Sequence, residues 1–155
     1  MIEDSNLQPN EEARRRMRRL HKNAAESILE NNTLRDALTD DDAQELLDWA
    51  MAQLKQAAEV AMLLPEETAE SFMTERVTAV SRIMRQVNNL TAKLPHMATE
   101  DLQFRLDDLS AALQTLTGFA PHPTDLQQLL VNRHALDNQT IFRKLMQIIT
   151  ERHME

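Results

Sequence analysis

A single glycine, Gly118, in 155 residues is the feature that most constrains the fold of this chain. Sheet proteins use glycine in tight hairpin turns and draw heavily on β-branched and aromatic residues. This chain has no tyrosine, one tryptophan and four phenylalanines. It is built instead from leucine, alanine, methionine, glutamate, glutamine and arginine, the residues that lose least on entering a helix. The composition therefore predicts an all-α protein.

Length and bulk composition predict one helical domain over residues 1–155. A chain of this size buries roughly two thirds of its unfolded surface without disulfides, and this one contains no cysteine. No apolar run approaches the ~18 residues that cross a bilayer, and the first residues lack the basic and apolar regions of a signal peptide. We therefore expect a cytoplasmic protein that does not enter a membrane, with residues 1–8 flexible.

Prolines and capping residues mark where the first three helices begin and end. Pro9 and the glutamates after it are typical of a first helical turn, so we expect a first helix from Pro9 to about Asn31 and a short helical turn over residues 33–36. Thr39, followed by three aspartates, predicts the start of a second helix. Pro65 cannot donate a hydrogen bond to the end of that helix and instead opens a third.

The second half of the chain is divided in the same way. We expect the third helix to end near Lys93 and a fourth to run from Thr99 to Gly118. Residues 119–123, which contain two prolines, form a stiff connector. A pair of shorter helices then occupies residues 124–153.

Apolar residues recur at alternating steps of four and three in helices two, three and four. This spacing of about 3.5 residues is typical of helices that pack nearly parallel in left-handed bundles. The sequence therefore predicts a bundle of about four long helices and one or two shorter C-terminal helices, mostly antiparallel in up-down order, with Arg76 occupying one place in the third series. The predicted core positions are Ala43, Leu47, Ala50, Leu54, Ala57, Ala61 and Leu64, then Ala69, Met73, Val80, Ile83, Val87, Leu90 and Leu94, then Leu102, Leu106, Leu109, Leu113 and Leu116.

Charge is segregated along the chain, although the net charge is -8. Residues 13–22 hold six basic residues and no acid, residues 37–75 hold ten acids and one base, and residues 76–93 hold four bases and no acid. Such blocks are commonly the solvated faces of neighbouring helices that attract one another weakly. The basic block of the first helix is also a candidate partner-binding surface, formed by Arg14, Arg15, Arg18, Arg19 and Lys22.

Four large apolar residues fall outside the predicted core positions. Trp49, Val60 and Met62 lie on the shoulders of the second helix, and Phe104 lies almost opposite the leucine stripe of the fourth. One interpretation is that helices one, five and six cover them. The other is that they form a partner or homodimer surface, because interface cores favour large aromatic residues with little charge around them.

The sequence contains no recognisable catalytic, metal or nucleotide motif. None of the five histidines stands in a Glu-x-x-His or His-x-x-x-His pattern, which would place two ligands on one helical face. A single glycine cannot build a glycine-rich phosphate loop. The sequence therefore predicts a protein that is not an enzyme and has no metal or cofactor.

Nucleic-acid binding is the alternative, and two features support it. The basic face of the first helix could track phosphates. Residues 124–145 resemble a helix-turn-helix, with Thr140 and Arg143 at positions of the recognition helix, although Val131, His134 and Lys144 depart from the motif. The candidate nucleic-acid contacts of this segment are Thr140, Arg143 and Lys144. The acidic total charge of the chain opposes this function.

We expect a non-enzymatic helical interaction protein: an adaptor, a regulator or an assembly factor. Its partner would be a protein with an acidic surface, which could belong to a second copy of the chain. We also expect a homo-oligomer formed through the second helix, near Trp49, Val60 and Met62. A third possibility remains open, in which the basic face pairs with the chain's own acidic residues 40–48.

Overall fold

A computed structural model describes residues 2–31 and 38–150 of the chain, and it confirms the predicted all-α bundle. Within these ranges there are six α-helices and no strand, with short 3-10 turns at Leu94–His96 and Arg133–Ala135. The turn expected at residues 33–36 and the last residues of the C-terminal pair, 151–153, lie outside the described ranges. The helices are α1 (Ile2–Asn31), α2 (Asp40–Ala61), α3 (Glu66–Lys93), α4 (Thr99–Thr117), α5 (Pro123–Val131) and α6 (Asn138–Thr150).

The start of α1 differs from the prediction. Helix α1 begins at Ile2, so Pro9 lies inside it rather than in its first turn. The expected flexibility of residues 1–8 stays a prediction. A proline in a helix interior has no N–H to donate and crowds the carbonyl four residues earlier, here that of Ser5. The good helix formers that follow Pro9 continue the helix beyond this interruption.

The other capping signals act as the sequence indicates. The Thr39 hydroxyl accepts a hydrogen bond from the Asp42 backbone N–H at 3.1 Å and so caps α2. Pro65 immediately precedes α3, and Gly118 ends α4 with φ of 86°, in the left-handed region where a Cβ is strained. The Asp137 carboxylate caps α6 by accepting from the Thr140 N–H at 2.7 Å.

Helix α3 is the central element of the bundle, because it contacts α1, α2, α4 and α6. All seven predicted core positions of α3 are buried. Ala79 and Met84, outside that series, are buried as well, so α3 packs on more than one side. The predicted positions of α2 and α4 are buried or partly buried.

Arg76 occupies a core position in the α3 series without placing its charge in the core. Its guanidinium lies 4.4 Å from the centre of the Phe72 ring and donates to the Thr115 carbonyl oxygen at 2.7 Å. Thr115 lies in the last turn of α4, where carbonyls lack helical partners and the helix dipole is negative. The arginine stem therefore packs between the helices while the charged group caps the end of α4.

A polar network joins α3 to α4. The Asp108 carboxylate accepts from the Arg82 guanidinium and, at 2.8 Å, from the Gln86 side-chain amide. Gln86 is only 6% exposed, and its carbonyl oxygen accepts from Arg105 at 3.3 Å. Burial raises the pKa of Asp108, but the hydrogen bonds from Arg82 and Gln86 and the positive charges of Arg82 and Arg85 outweigh it, so that this pKa is lowered.

Candidate interaction surfaces

The basic face of α1 is exposed as predicted. Met17 and Leu20 are half-buried and Ala24 and Ile28 are buried, which fixes the side of α1 that packs on the bundle. The opposite side points to solvent. Its exposed basic residues are Arg14, Arg15, Arg18, Arg19 and Lys22.

Little of this positive charge is neutralised within the part of the chain that the structure describes. Arg15 lies 3.6 Å from the Glu11 carboxylate, a long, exposed pair of the kind that contributes only a few tenths of a kcal/mol. Arg14, Arg18, Arg19 and Lys22 make no ion pair with any residue whose side chain the structure describes. Among those side chains, the four cations on α1 therefore have no counter-charge.

Arg16 has a different role from its neighbours. It is half-buried, and its guanidinium donates to the Leu64 carbonyl oxygen at 3.2 Å. Leu64 lies in the turn that connects α2 to α3, where the carbonyls past the end of α2 lack helical partners. Arg16 therefore holds α1 beside this turn.

Two acids at the start of α2, Asp42 and Glu45, are paired with α6 and not with α1. The Arg143 guanidinium donates to Asp42 at 3.1 Å and to Glu45 at 2.7 Å. Asp42 is only 7% exposed. The pKa of Arg143 is raised because the hydrogen bond to Glu45, with the charges of both carboxylates, outweighs partial burial, so Arg143 keeps its charge. We name this arrangement the Arg143 bridge.

The four predicted apolar contact residues do not form one surface. Trp49 is only 9% exposed and belongs to the hydrophobic core, so it is not available on the surface of the chain. Met62 is half-buried. Val60 is 47% exposed at the end of α2, whereas Phe104 is 67% exposed on a different helix, α4.

Sequence reasoning missed Leu63, which at 81% is the most exposed large apolar residue among those whose side chains the structure describes. Helix α2 stops at Ala61, so Leu63 lies in the turn that follows. The signal was present, because a leucine two residues before a helix-opening proline belongs to a connection. Phe119, beyond the end of α4, and Val131, the last residue of α5, are exposed as well.

The segment that resembles a helix-turn-helix is built differently from a DNA-reading unit. Helix α5 packs mainly on α4, while α6 packs on α3. Of the three predicted recognition positions, Thr140 is exposed, Arg143 is held by Asp42 and Glu45, and Lys144 is half-buried. The structure therefore does not bring these three side chains together as free groups on one face.

A groove of about 620 Å³ lies between α1 and α3. Its basic lining residues, Arg16 and Arg19, come from α1, and its acidic ones, Glu66 and Glu70, come from the first turns of α3. No ion pair joins these two sides among the described residues. The groove also has an apolar lining, formed by Leu20, Ala24, Ala69, Met73 and Val77.

A second cavity, of about 690 Å³, lies between the starts of α2 and α6. Thr39, Asp42, His96 and Asp137 contribute polar groups to its lining. The buried hydroxyl of Thr91, which also lines this cavity, has no hydrogen-bond partner in the described structure. Thr39 and Asp137 already serve as helix caps, and Asp42 belongs to the Arg143 bridge, so these polar groups have structural partners.

The fold and these surfaces define an all-α helical bundle with a basic outer helix face. No group of three or more metal-ligating side chains occurs among residues 2–31 and 38–150. None of the helices described is both long and apolar enough to span a bilayer. In comparisons with known proteins, no family model, curated protein or solved structure matches the chain.

Proposed function

We propose that this chain is a non-enzymatic interaction protein, an adaptor, regulator or assembly factor, that binds an acidic protein surface through the basic face of α1. The observation that carries the proposal is the contrast between two charged segments. Arg14, Arg18, Arg19 and Lys22 have no counter-charge in the described structure. Of the acids at the start of α2, which could have supplied one, Asp42 and Glu45 are bound by Arg143 instead.

The energetics of α1 support an external counter-charge. Like charges three or four residues apart on a helix each cost a few tenths of a kcal/mol, and the basic face contains the series Arg14, Arg18, Lys22 at steps of four. An acidic partner relieves this repulsion and is also attracted over a distance of about 8–10 Å at physiological salt. Such charge complementarity increases association rate and specificity more than final affinity.

The charges of the chain outside the basic face favour a protein partner over nucleic acid. The chain carries a net charge of -8, and an extended polyanion such as DNA reaches past the basic face to the acidic rest of the chain, which repels it. Arg143, the candidate base-reading cation, is already bound to two carboxylates. The basic face is short, and an acidic patch of a protein matches its size better than a duplex does.

The test compares two variants with the same change in charge. Arg18→Glu with Lys22→Glu removes the centre of the basic face, while Lys55→Glu with Lys93→Glu changes exposed lysines on α2 and α3. Fluorescent polyglutamate is titrated at ~50 mM salt, where screening is weak. We expect at least a tenfold loss of affinity in the α1 variant, little change in the control, and melting temperatures near that of the wild type for both.

Two results would count against the proposal. Equal polyglutamate affinity for the two variants would show that the basic face is not the binding surface. A 20-base-pair duplex that binds more tightly than polyglutamate at the same salt, with a log–log salt slope of about -0.9 per phosphate neutralised, would instead establish nucleic-acid binding.

A further inference from the structure

We infer that the end of the bundle at the α2–α3 turn is a self-complementary surface, through which two copies of the chain form a two-fold symmetric dimer. In this dimer the exposed turn of each copy enters the α1–α3 groove of the other. The inference goes beyond the proposed function, because it uses the side of α1 that faces α3; the two surfaces share Arg19, and Arg14, Arg18 and Lys22 remain free.

The apolar part of the surface is the turn itself. Leu63 is 81% exposed and Val60, one helical turn earlier, is 47% exposed. Met62, between them, is half-buried. A single exposed leucine is ordinary in a monomer, but a pair of adjacent apolar residues at the tip of a helical hairpin is a small continuous patch.

The receiving part is the α1–α3 groove, which lies next to the turn. The hydrogen bond from Arg16 to the Leu64 carbonyl places α1 directly beside the turn, and Arg16 also lines the groove. The apolar lining, which includes Leu20 and Met73, can accept a leucine side chain. Because tip and groove are neighbours, one rotation about a nearby two-fold axis brings each tip to the other copy's groove.

Charge identifies a second copy as the occupant. The groove is lined by Arg16 and Arg19 on the α1 side and by Glu66 and Glu70 on the α3 side. Arg19, Glu66 and Glu70 are exposed and make no ion pair with a described residue. A partner of one sign would be repelled by half of this surface. A copy rotated by the two-fold axis presents glutamates to arginine and arginine to glutamates, so each favourable contact forms twice.

This inference changes the predicted site of homo-oligomer contact. The sequence suggested the side of α2 that carries Trp49, but Trp49 is buried in the core. Val60 and Met62 remain near the proposed contact because they lie at the end of α2. The contact thus moves along α2, from its middle to its C-terminal end.

The first experiment measures mass against concentration by sedimentation velocity and light scattering, from ~5 to ~500 µM at low salt, since small interfaces give weak dimers. We expect the mass to rise from 17.8 kDa to about twice that value. Leu63→Ser should abolish this rise without lowering the melting temperature. Val131→Ser, a change at a comparably exposed site outside the surface, should leave the rise intact.

The second experiment is a charge exchange. Arg19→Glu places like charges opposite each other at both symmetric contacts, and so does Glu66→Lys combined with Glu70→Lys. Each variant alone should therefore remain monomeric. An equimolar mixture restores opposite charges at both contacts, and it should associate at least as strongly as the wild type.

Three results would each overturn the inference. The wild-type chain could stay at 17.8 kDa at every concentration, the Leu63→Ser variant could dimerise normally, or the mixture of charge variants could stay monomeric. The result is independent of the proposed function. Leu63→Ser should still bind polyglutamate, and the Arg18→Glu, Lys22→Glu variant should still dimerise. If the wild type binds polyglutamate through the basic face but does not dimerise, only this inference fails; if it dimerises through the turn but the basic face does not bind polyglutamate, only the proposed function fails.

Discussion

Asp108 is the residue whose charge most directly joins two helices of the core. It accepts hydrogen bonds from Arg82 and from the buried Gln86, both on α3, although it belongs to α4. Hydrogen bonds to a charged group contribute about 1.5–3 kcal/mol each, less where solvent reaches the pair. Since its side chain is 21% exposed, we place Asp108 at the lower end of that range.

We expect Asp108→Asn to lower the free energy of unfolding by about 1–2 kcal/mol at pH 7, because the amide cannot accept as strongly from Arg82. Asp107→Asn is the matched control, since Asp107 is exposed and accepts only from Gln103 of its own helix. Urea unfolding monitored by circular dichroism measures both. Equal losses in the two variants would contradict a role for the network.

The same carboxylate predicts a pH dependence. Because the pKa of Asp108 is lowered in the folded chain, the unfolded state takes up its proton first as the pH falls. The stability it contributes is complete above the unfolded pKa of about 3.9 and is lost as the pH falls through the lower, folded value. The difference in unfolding free energy between the wild type and Asp108→Asn should therefore shrink below about pH 4. A difference that does not change from pH 7 to pH 3 would contradict this.

At the scale of helices, α6 is attached to the bundle by apolar packing and by the Arg143 bridge. Removing Arg143 leaves Asp42, which is 7% exposed, without its cation. We expect Arg143→Ala to cost about 2–3 kcal/mol, since an unpaired buried carboxylate costs more than the pair contributes. Asp42→Asn in the same chain should recover part of this loss. A thermal melt that shows no recovery would mean that Arg143 acts through its contact with Phe142 instead.

The end of α4 gives a second prediction at this scale. Gly118 has φ of 86°, and no atom lies within 4 Å of the position a Cβ would occupy. Gly118→Ala therefore costs only backbone strain, about 1–2 kcal/mol. Ala111→Gly, on the exposed side of α4, is a comparison for the effect of glycine within a helix, and it should cost about 1 kcal/mol. Chemical unfolding should show a lower free energy of unfolding for Gly118→Ala than for the wild type. A Gly118→Ala variant that is more stable than the wild type would contradict this.

Helix starts, ends and core positions could be predicted because they depend on local chemistry. Thr39 and Asp137 cap their helices through neighbouring backbone N–H groups, and the α3 series is buried because its spacing matches a helix. The predicted start of α1 was wrong because a proline signals a helix start only locally, whereas continuation of the helix depends on the residues on both sides of the proline. The burial of Trp49 and the central place of α3 depend on how helices pack, which periodicity does not determine.

The candidate surfaces were predictable only in part. The exposure of the five basic residues of this face follows from the helical period of α1. The capture of Asp42 and Glu45 by Arg143 joins residues about 100 positions apart, and no local pattern indicates it. The α1–α3 groove depends on the same kind of long-range packing, since its two walls come from separate helices.

At the scale of the whole molecule, the bundle is organised around α3, with α1 as an outer helix. Backbone amides exchange their hydrogens most slowly where many neighbouring residues bury them, because local opening is rarest there. In hydrogen exchange followed by mass spectrometry, the segment from Val80 to Leu90 should exchange slowest. The exposed segment from Glu11 to Arg19 should exchange at least tenfold faster, because local opening there disrupts few buried contacts. Equal protection of the two segments would contradict the central role of α3.

The Arg143 bridge also has a consequence for how the chain is made. Asp42 leaves the ribosome 101 residues before Arg143, which at ~5–20 residues per second is a delay of several seconds. Contacts between residues far apart in sequence form late, because joining distant segments carries a large cost in chain entropy. The hairpin of α2 and α3 therefore exists for a time with an unneutralised carboxylate at its base. The arrival of α6 supplies the cation that pairs with Asp42 and Glu45, and it ends that period.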